Sequence, residues 1–280
     1  MLYALFSLIG GVGERWILQK FGGSVQQAHF GISYKVGSFV FLFTSAMIPI
    51  MLREFSKLFG SNDLEEIKIY FSQSIRTFLI LASSLAVLVA FNAEFITLVL
   101  GGSEFKGASL VVALMAFYPI HQTIGQINAT LFYSTNRTKN YRNIGLFIIP
   151  IGLLVSFFLI APESYGGFNL GAYGLVCQML IVQLLSTNIM LFSNSKYLKM
   201  KYSNFVLIQL LTIGSLVCFS FGLQFFLDIF NIGLLLKAVL FSLFLFGILL
   251  TVVKLFPNII GFKVPWSIGK NQLLINKKKD

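Results

Sequence analysis

The sequence predicts an all-α integral membrane protein with about eight transmembrane helices. Of its 280 residues, 56% are hydrophobic and 11% are charged, so the chain lacks the polar surface that a soluble domain of this length needs. The apolar residues form continuous runs and do not alternate with polar ones, which favours helices over the strands of an outer-membrane barrel. The runs cover residues 2–21, 28–52, 77–100, 108–134, 141–160, 170–192, 205–227 and 232–256.

Several of the predicted spans contain residues that interrupt the apolar run or bend the helix. The first has no basic residues before its apolar run, and the hydrophobicity resumes after Glu14 and Arg15, so it is a span and not a cleaved signal peptide. Asn92 interrupts the third span. Pro49, Pro119 and Pro150 lie inside the second, fourth and fifth spans, where we expect each to kink a helix.

Amide side chains are concentrated in the fourth and sixth spans. The fourth contains Gln122, Gln126 and Asn128, and the sixth contains Gln178, Gln183 and Asn188. Polar side chains inside a bilayer commonly donate hydrogen bonds between helices. We therefore expect most of these six residues to join neighbouring helices.

Lys and Arg residues are concentrated in alternate loops and in the C-terminal tail, and the intervening loops contain few of them. Short loops rich in Lys and Arg remain in the cytoplasm. We therefore expect the loops around Asn140 and Ser195 to be cytoplasmic and those around Ser103 and Ser164 to be external. Both termini would then be cytoplasmic, with the basic tail 258–280 facing lipid headgroups. No soluble basic domain is present to bind nucleic acid.

Of the charged residues inside predicted spans, three need an explanation: Glu14, Arg15 and Lys35. A charge at the centre of a bilayer is unfavourable by about 2.5–3.5 kcal/mol on insertion scales, so such residues usually face a bundle interior or an aqueous cavity. Glu14 and Arg15 are adjacent and point about 100° apart on a helix. Two alternatives remain open: a structural pair such as Glu14 with Lys35, and a solvated substrate pathway.

No catalytic, metal-binding or nucleotide-binding motif occurs in the sequence. The two histidines, His29 and His121, are isolated, and the two cysteines, Cys177 and Cys218, lie within apolar runs. We therefore expect no enzyme activity, no catalytic residue, no metal site and no cofactor.

The stretch ERWILQKFGGSVQQAHFGISYKVGSF resembles the start of the second lobe of polysaccharide flippases. These belong to the multidrug, oligosaccharidyl-lipid and polysaccharide exporter superfamily. Arg15 and Lys35 match the family pattern, and Glu14 stands where Asp is usual. Ala28, Phe30 and Ser33 depart from it. Three further segments resemble the family in the same order: IPIMLREFSKLFGSNDLEEIKIYFSQSIR, LVLGGSEFKGASLVVALMAF and LFYSTNRTKNYRNIGL.

This resemblance implies a C-terminal lobe over residues 1–200, two additional transmembrane helices over 201–257 and the cytoplasmic tail 258–280. It implies transport of a lipid-linked oligosaccharide (an O-antigen-type glycan on polyprenyl pyrophosphate) across a bacterial-type cytoplasmic membrane, for cell-surface polysaccharide biosynthesis such as that of lipopolysaccharide. Arg15 and Lys35 would bind the anionic head, and Glu14 would orient Arg15 or bind a coupling ion.

The resemblance also implies that the first lobe is absent, so that the chain is a truncated or half-transporter that associates with a first-lobe partner or with itself. A multidrug–cation antiporter of the same superfamily and a non-transporting remnant or assembly subunit are the alternatives. A membrane-embedded glycan polymerase or acyltransferase would need a large outer loop or catalytic His and Arg residues, and the outer loops here are short.

Overall fold

The structure, a computed structural model, describes residues 2–230 and 232–255, and every regular element in these residues is a helix. The α-helices are α1 (Leu2–Ser45), α2 (Ile48–Gly60), α3 (Leu64–Phe91), α4 (Ala93–Gly101), α5 (Ser109–Met115), α6 (Tyr118–Ser134), α7 (Thr138–Ile160), α8 (Gly171–Tyr197), α9 (Tyr202–Asp228) and α10 (Leu234–Leu255). Two short 3-10 helices, Ser103–Ala108 and Glu163–Tyr165, lie in the connections.

The described residues include 5 helical segments that are long and apolar enough to cross a membrane, as expected of a multi-pass membrane protein. They are α3, the segment Ser103–Ser134 that contains α5 and α6, and the helices α7, α8 and α9. An apolar part of α10, Leu234–Gly247, is shorter. The predicted all-α membrane class is confirmed, whereas the number of eight spans stays a prediction.

Helix α1 reverses its direction at Gly23. Gly23 has φ 71°, a left-handed conformation that glycine adopts without steric conflict. In a straight helix Arg15 and Phe30 would lie about 22 Å apart, at 1.5 Å per residue. Instead, the Arg15 guanidinium carbon lies 5.8 Å from the Phe30 ring centroid and 5.0 Å from that of Tyr34. The two limbs, 2–22 and 24–45, therefore fold back on each other.

Breaks in the helices explain most differences from the predicted boundaries. Helix α1 ends at Ser45, within the second apolar run, and Pro49 lies in the first turn of α2, not inside a long helix. Pro119 lies inside the candidate span Ser103–Ser134 as predicted, but in the first turn of α6, where a residue needs no backbone N–H for an intrahelical bond. Pro150 does lie inside a helix, α7. The predicted interruption at Asn92 is confirmed, since α3 ends there and α4 begins.

One end of the bundle, which we call the Gly23 end, joins the turn at Gly23 to the connections 102–108 and 161–170. The backbone N–H of Ala172 donates to Gln26 Oε1 at 3.0 Å. The rings of His29 and Phe105 lie 6.2 Å apart, and those of Phe21 and Tyr165 lie 5.6 Å apart. Both connections that we predict to be external are therefore at the same end.

The opposite end, which we call the Arg137 end, carries the basic connections. Arg137 Nη1 donates to Asn194 Oδ1 at 2.9 Å, and its guanidinium carbon lies 4.2 Å from the ring centroid of Tyr197. This arrangement corrects the predicted loop around Ser195: that residue is buried within α8, and the chain turns at 198–201 instead. Lys199, with φ 54°, lies in this turn and is exposed.

Four groups of buried apolar side chains, three of them larger than the fourth, hold the bundle together. One joins α2, α3, α6 and the start of α9 at the Arg137 end, around Phe55, Phe71 and Leu131. Another joins α1, α5, α7 and α8 at the Gly23 end, around Leu18 and Phe30. In the third, α9 and α10 pack on α3. The predicted tail 258–280 lies outside the described residues.

The two ends generate a topology prediction. In a background with Cys177→Ala and Cys218→Ala, a membrane-impermeant thiol reagent applied to intact cells should label Ser103→Cys and Ser164→Cys but not Asn140→Cys or Lys199→Cys. The reason is that the basic connections stay on the cytoplasmic side. Permeabilised cells provide the control, because all four positions are exposed and should then be labelled. Labelling of position 140 from outside would overturn the orientation.

Candidate functional site

The reversal of α1 places its charged residues at the same depth as the middle of the bundle. Arg15 lies 8 residues before Gly23 and Lys35 lies 12 residues after it. At 1.5 Å per residue, these positions are about 12 Å and 18 Å from the turn. Because the hydrocarbon core of a bilayer is about 30 Å thick, both cations lie near its midplane if the turn lies at its edge.

Glu14 is bound to α8 and not to either cation. Gln178 Nε2 donates to Glu14 Oε1 at 2.9 Å. Gly152 of α7 lies beside this pair, and a Cβ atom there would lie 3.2 Å from Glu14 Oε1. The carboxyl group is therefore held between α7 and α8. The structural pair that the sequence suggested, Glu14 with Lys35, does not form among the described residues.

Arg15 lies against the second limb of α1. Its guanidinium faces the rings of Phe30 and Tyr34, which attract a cation through the electrons of the ring face. The residue is exposed, and no acidic side chain of the described chain forms an ion pair with it. The aromatic rings orient the guanidinium, and Glu14 beside it in sequence interacts with its charge without forming an ion pair.

Lys35 lies at an apolar cleft with a volume of about 880 Å³. The cleft is bounded by the second limb of α1, by α3 and α4, and by Phe105. Its apolar walls include Ile32, Phe39, Val89 and Leu100. Of the described residues that line the cleft, Lys35 alone carries a charge. Lys35 also lacks an ion-pair partner among the described residues.

The structure brings Glu14, Arg15 and Tyr34 together and places Lys35 on the neighbouring face of the same limb. Tyr34 and Lys35 are consecutive, so their side chains point about 100° apart. Arg15 does not line the cleft that contains Lys35. That both cations face a single aqueous cavity stays a prediction.

Sequence reasoning missed the apolar walls of the cleft and the bond between Glu14 and Gln178. Ile32, Val89 and Leu100 are ordinary apolar residues of a membrane helix, and no local pattern separates a cleft wall from a lipid-facing surface. Gln178 was visible as a polar residue in the sixth span, but its partner depends on how α1 packs against α8.

No family model, no curated protein and no solved structure matches this chain.

The contact between α1 and α8 generates a stability prediction. Glu14→Ala and Gln178→Ala should each destabilise the protein, and a double-mutant cycle should give a coupling free energy of about 0.5–1.7 kcal/mol, the range measured for hydrogen bonds between membrane helices. The measurement is reversible unfolding in mixed micelles. Gln183→Ala is the matched control, because Gln183 Nε2 donates to the His121 carbonyl oxygen and to Thr187 Oγ1 and does not contact Glu14. Effects of Glu14→Ala and Gln178→Ala that add within about 0.3 kcal/mol would contradict the coupling.

Proposed function

We propose that this chain takes part in moving a lipid-linked oligosaccharide across the cytoplasmic membrane, as the resemblance to polysaccharide flippases implies. The observation that carries the proposal is a cation without an ion-pair partner, Lys35, at an apolar cleft, with a second such cation, Arg15, on the other limb of the same helix. Arg15 and Lys35 are exposed on α1, within apolar stretches of sequence, and neither forms an ion pair with an acidic side chain of the described chain; Lys35 borders about 880 Å³ of apolar space.

An anionic lipid suits both parts of this arrangement: its charged head suits the two cations, and its hydrocarbon chain suits the apolar cleft. A cation without an ion-pair partner is unfavourable in hydrocarbon by about 2.5–3.5 kcal/mol. A phosphate group placed beside the cation would remove part of that penalty. Arg binds phosphate through two parallel hydrogen bonds, and Lys acts as a point charge. The hydrocarbon chain of the same molecule would lie along the apolar cleft. A polyprenyl pyrophosphate has both parts.

The charge arrangement favours this substrate over that of a multidrug–cation antiporter. An organic cation would be repelled by Arg15 and Lys35, since opposite charges attract and like charges repel strongly at low dielectric. Glu14, the acidic residue beside them, already accepts a hydrogen bond from Gln178.

We also infer eight membrane spans with both termini in the cytoplasm. The two limbs of α1 would be two spans. The remaining six would be α3 with α4, α5 with α6, and the helices α7, α8, α9 and α10. An even number of spans agrees with basic connections gathered at the Arg137 end, which would face the cytoplasm.

A partner would cover the exposed face of the first limb of α1. Arg15 is exposed there, and Trp16 beside it has 76% of its surface accessible. A charged face turned toward lipid is unfavourable, so we propose that a first-lobe chain or a second copy of this chain lies against it.

Removal of the Lys35 charge should weaken binding of an anionic polyprenyl lipid. Lys35→Gln in nanodiscs should bind a polyprenyl phosphate about 10-fold more weakly than the wild type, because a charge-assisted hydrogen bond contributes about 1.5–3 kcal/mol. Binding of the uncharged polyprenol should not change. The matched control is Lys106→Gln, at an exposed lysine near Glu94 and outside the cleft. Equal loss for both lipids would mean that the variant disturbs the cleft and that Lys35 does not bind an anion.

Transport should depend on both cations. When this chain is expressed with a first lobe in a flippase-deficient strain, Arg15→Ala and Lys35→Ala should each reduce glycan export without lowering the amount of protein. Export that stays normal per molecule while the amount of protein falls would assign the two residues a structural role. Full rescue by this chain alone, as a monomer in mild detergent, would overturn the partner proposal.

A further inference from the structure

A second cavity, nearer the Arg137 end, is lined by polar side chains without charge. It has a volume of about 350 Å³ and lies between the first limb of α1 and the helices α6, α7 and α8. Amides, phenols and hydroxyls line it, from residues Tyr3, Tyr118, Gln122, Gln126, Gln183 and Ser186. Ligand pockets in proteins have volumes of about 300–1,000 Å³, so this one is large enough for a small molecule.

The side-chain amides of this cavity differ from the other amides of the same helices, because their donors and acceptors form no hydrogen bonds or only long ones. Asn128 bonds to Asn194 at 2.9 Å, and Gln178 bonds to Glu14, as interhelical contacts of the expected kind. The side-chain amides of Gln122 and Gln126, by contrast, form no hydrogen bond with any described residue, and Gln183 Nε2 reaches its two acceptors only at 3.5 Å. A bond of that length is weak.

Aromatic side chains form one wall of the cavity and are held in place by close packing. The rings of Tyr3 and Tyr141 lie 5.8 Å apart at an interplanar angle of 73°. Gly145 makes this possible, because a Cβ atom there would lie 2.3 Å from the Tyr3 ring. The wall therefore depends on a glycine in α7 that admits the ring of Tyr3.

We propose that this cavity binds an uncharged sugar residue. An amide offers donors and an acceptor together, which suits adjacent hydroxyl groups that both donate and accept. Tyrosine rings present an apolar face to the C–H face of a pyranose and a hydroxyl group at the edge. No charged residue is among the described residues that line the cavity, so it has no counter-ion for a uronate or an amino sugar.

The position of the cavity connects it to the cation site. Tyr118 lines the polar cavity and packs against the same group of buried apolar side chains as Tyr34, the tyrosine beside Arg15. A sugar bound in the cavity would therefore lie next to the region in which Arg15 holds an anionic head. Identification of this sugar as part of the transported molecule rests on the proposed function, whereas sugar binding itself does not.

Saturation-transfer difference NMR tests the inference on the full chain, purified without sugar-based detergent and placed in phospholipid nanodiscs. The probes are methyl β-D-glucopyranoside and methyl β-D-galactopyranoside, with glucuronate and glucosamine as charged comparators. We expect transfer to at least one uncharged glycoside, weak or no transfer to the charged sugars, and about a fivefold loss in Gln122→Leu/Gln126→Leu, because two hydrogen bonds are removed.

The matched control is Gln224→Leu, at a glutamine of α9 that does not line this cavity; it should bind the glycoside like the wild type. Retained binding of polyprenyl phosphate by Gln122→Leu/Gln126→Leu shows that the variant is folded. Absence of transfer to both glycosides, or equal transfer to the double variant, would overturn the sugar site. Lys35→Gln should keep its sugar binding, so failure of the proposed function and failure of this inference give different results.

Discussion

The reversal of α1 at Gly23 is the constraint on which the candidate site depends. With a straight helix, Arg15 would be far from Phe30 and Tyr34, and its charge would have no aromatic neighbour. The turn brings the two limbs together, and Gln26, just beyond it, accepts a hydrogen bond from the start of α8. The same packing places Glu14 beside Gln178. The backbone conformation of Gly23 thereby sets the positions of Glu14, of Arg15 and of the cleft beside Lys35.

Polar side chains inside this bundle belong to two groups with different consequences. Those that bond between helices, such as Asn128 with Asn194 and Thr187 with the carbonyl oxygen of His121, join α6 to α8. Such bonds matter in a bilayer, where the hydrophobic effect does not drive helices together. Gln122 and Gln126 form no such bonds within the described chain. A polar group held at membrane depth without a protein partner needs water or a ligand.

The basic residues at the Arg137 end have different surroundings from Arg15 and Lys35. Basic side chains at the Arg137 end, such as those of Lys139 and Lys199, are exposed. Arg137 itself is held in place by Asn194 and by the ring of Tyr197. Arg15 and Lys35 have no such surroundings, because apolar and aromatic side chains are their neighbours. Arg15 and Lys35 are exposed cations without an ion-pair partner among the described residues.

The sequence by itself determined the all-α membrane class, the break at Asn92 and the presence of charges within apolar helices, because length, hydropathy and composition are local properties. It did not determine that Pro49 and Pro119 begin helices, nor that α8 continues through Ser195, since helix ends depend on packing. The partner of Glu14, the apolar walls around Lys35 and the unbonded amides of Gln122 and Gln126 were decided by the tertiary structure alone. Each depends on which helices lie side by side, and continuous apolar runs contain little information about their neighbours.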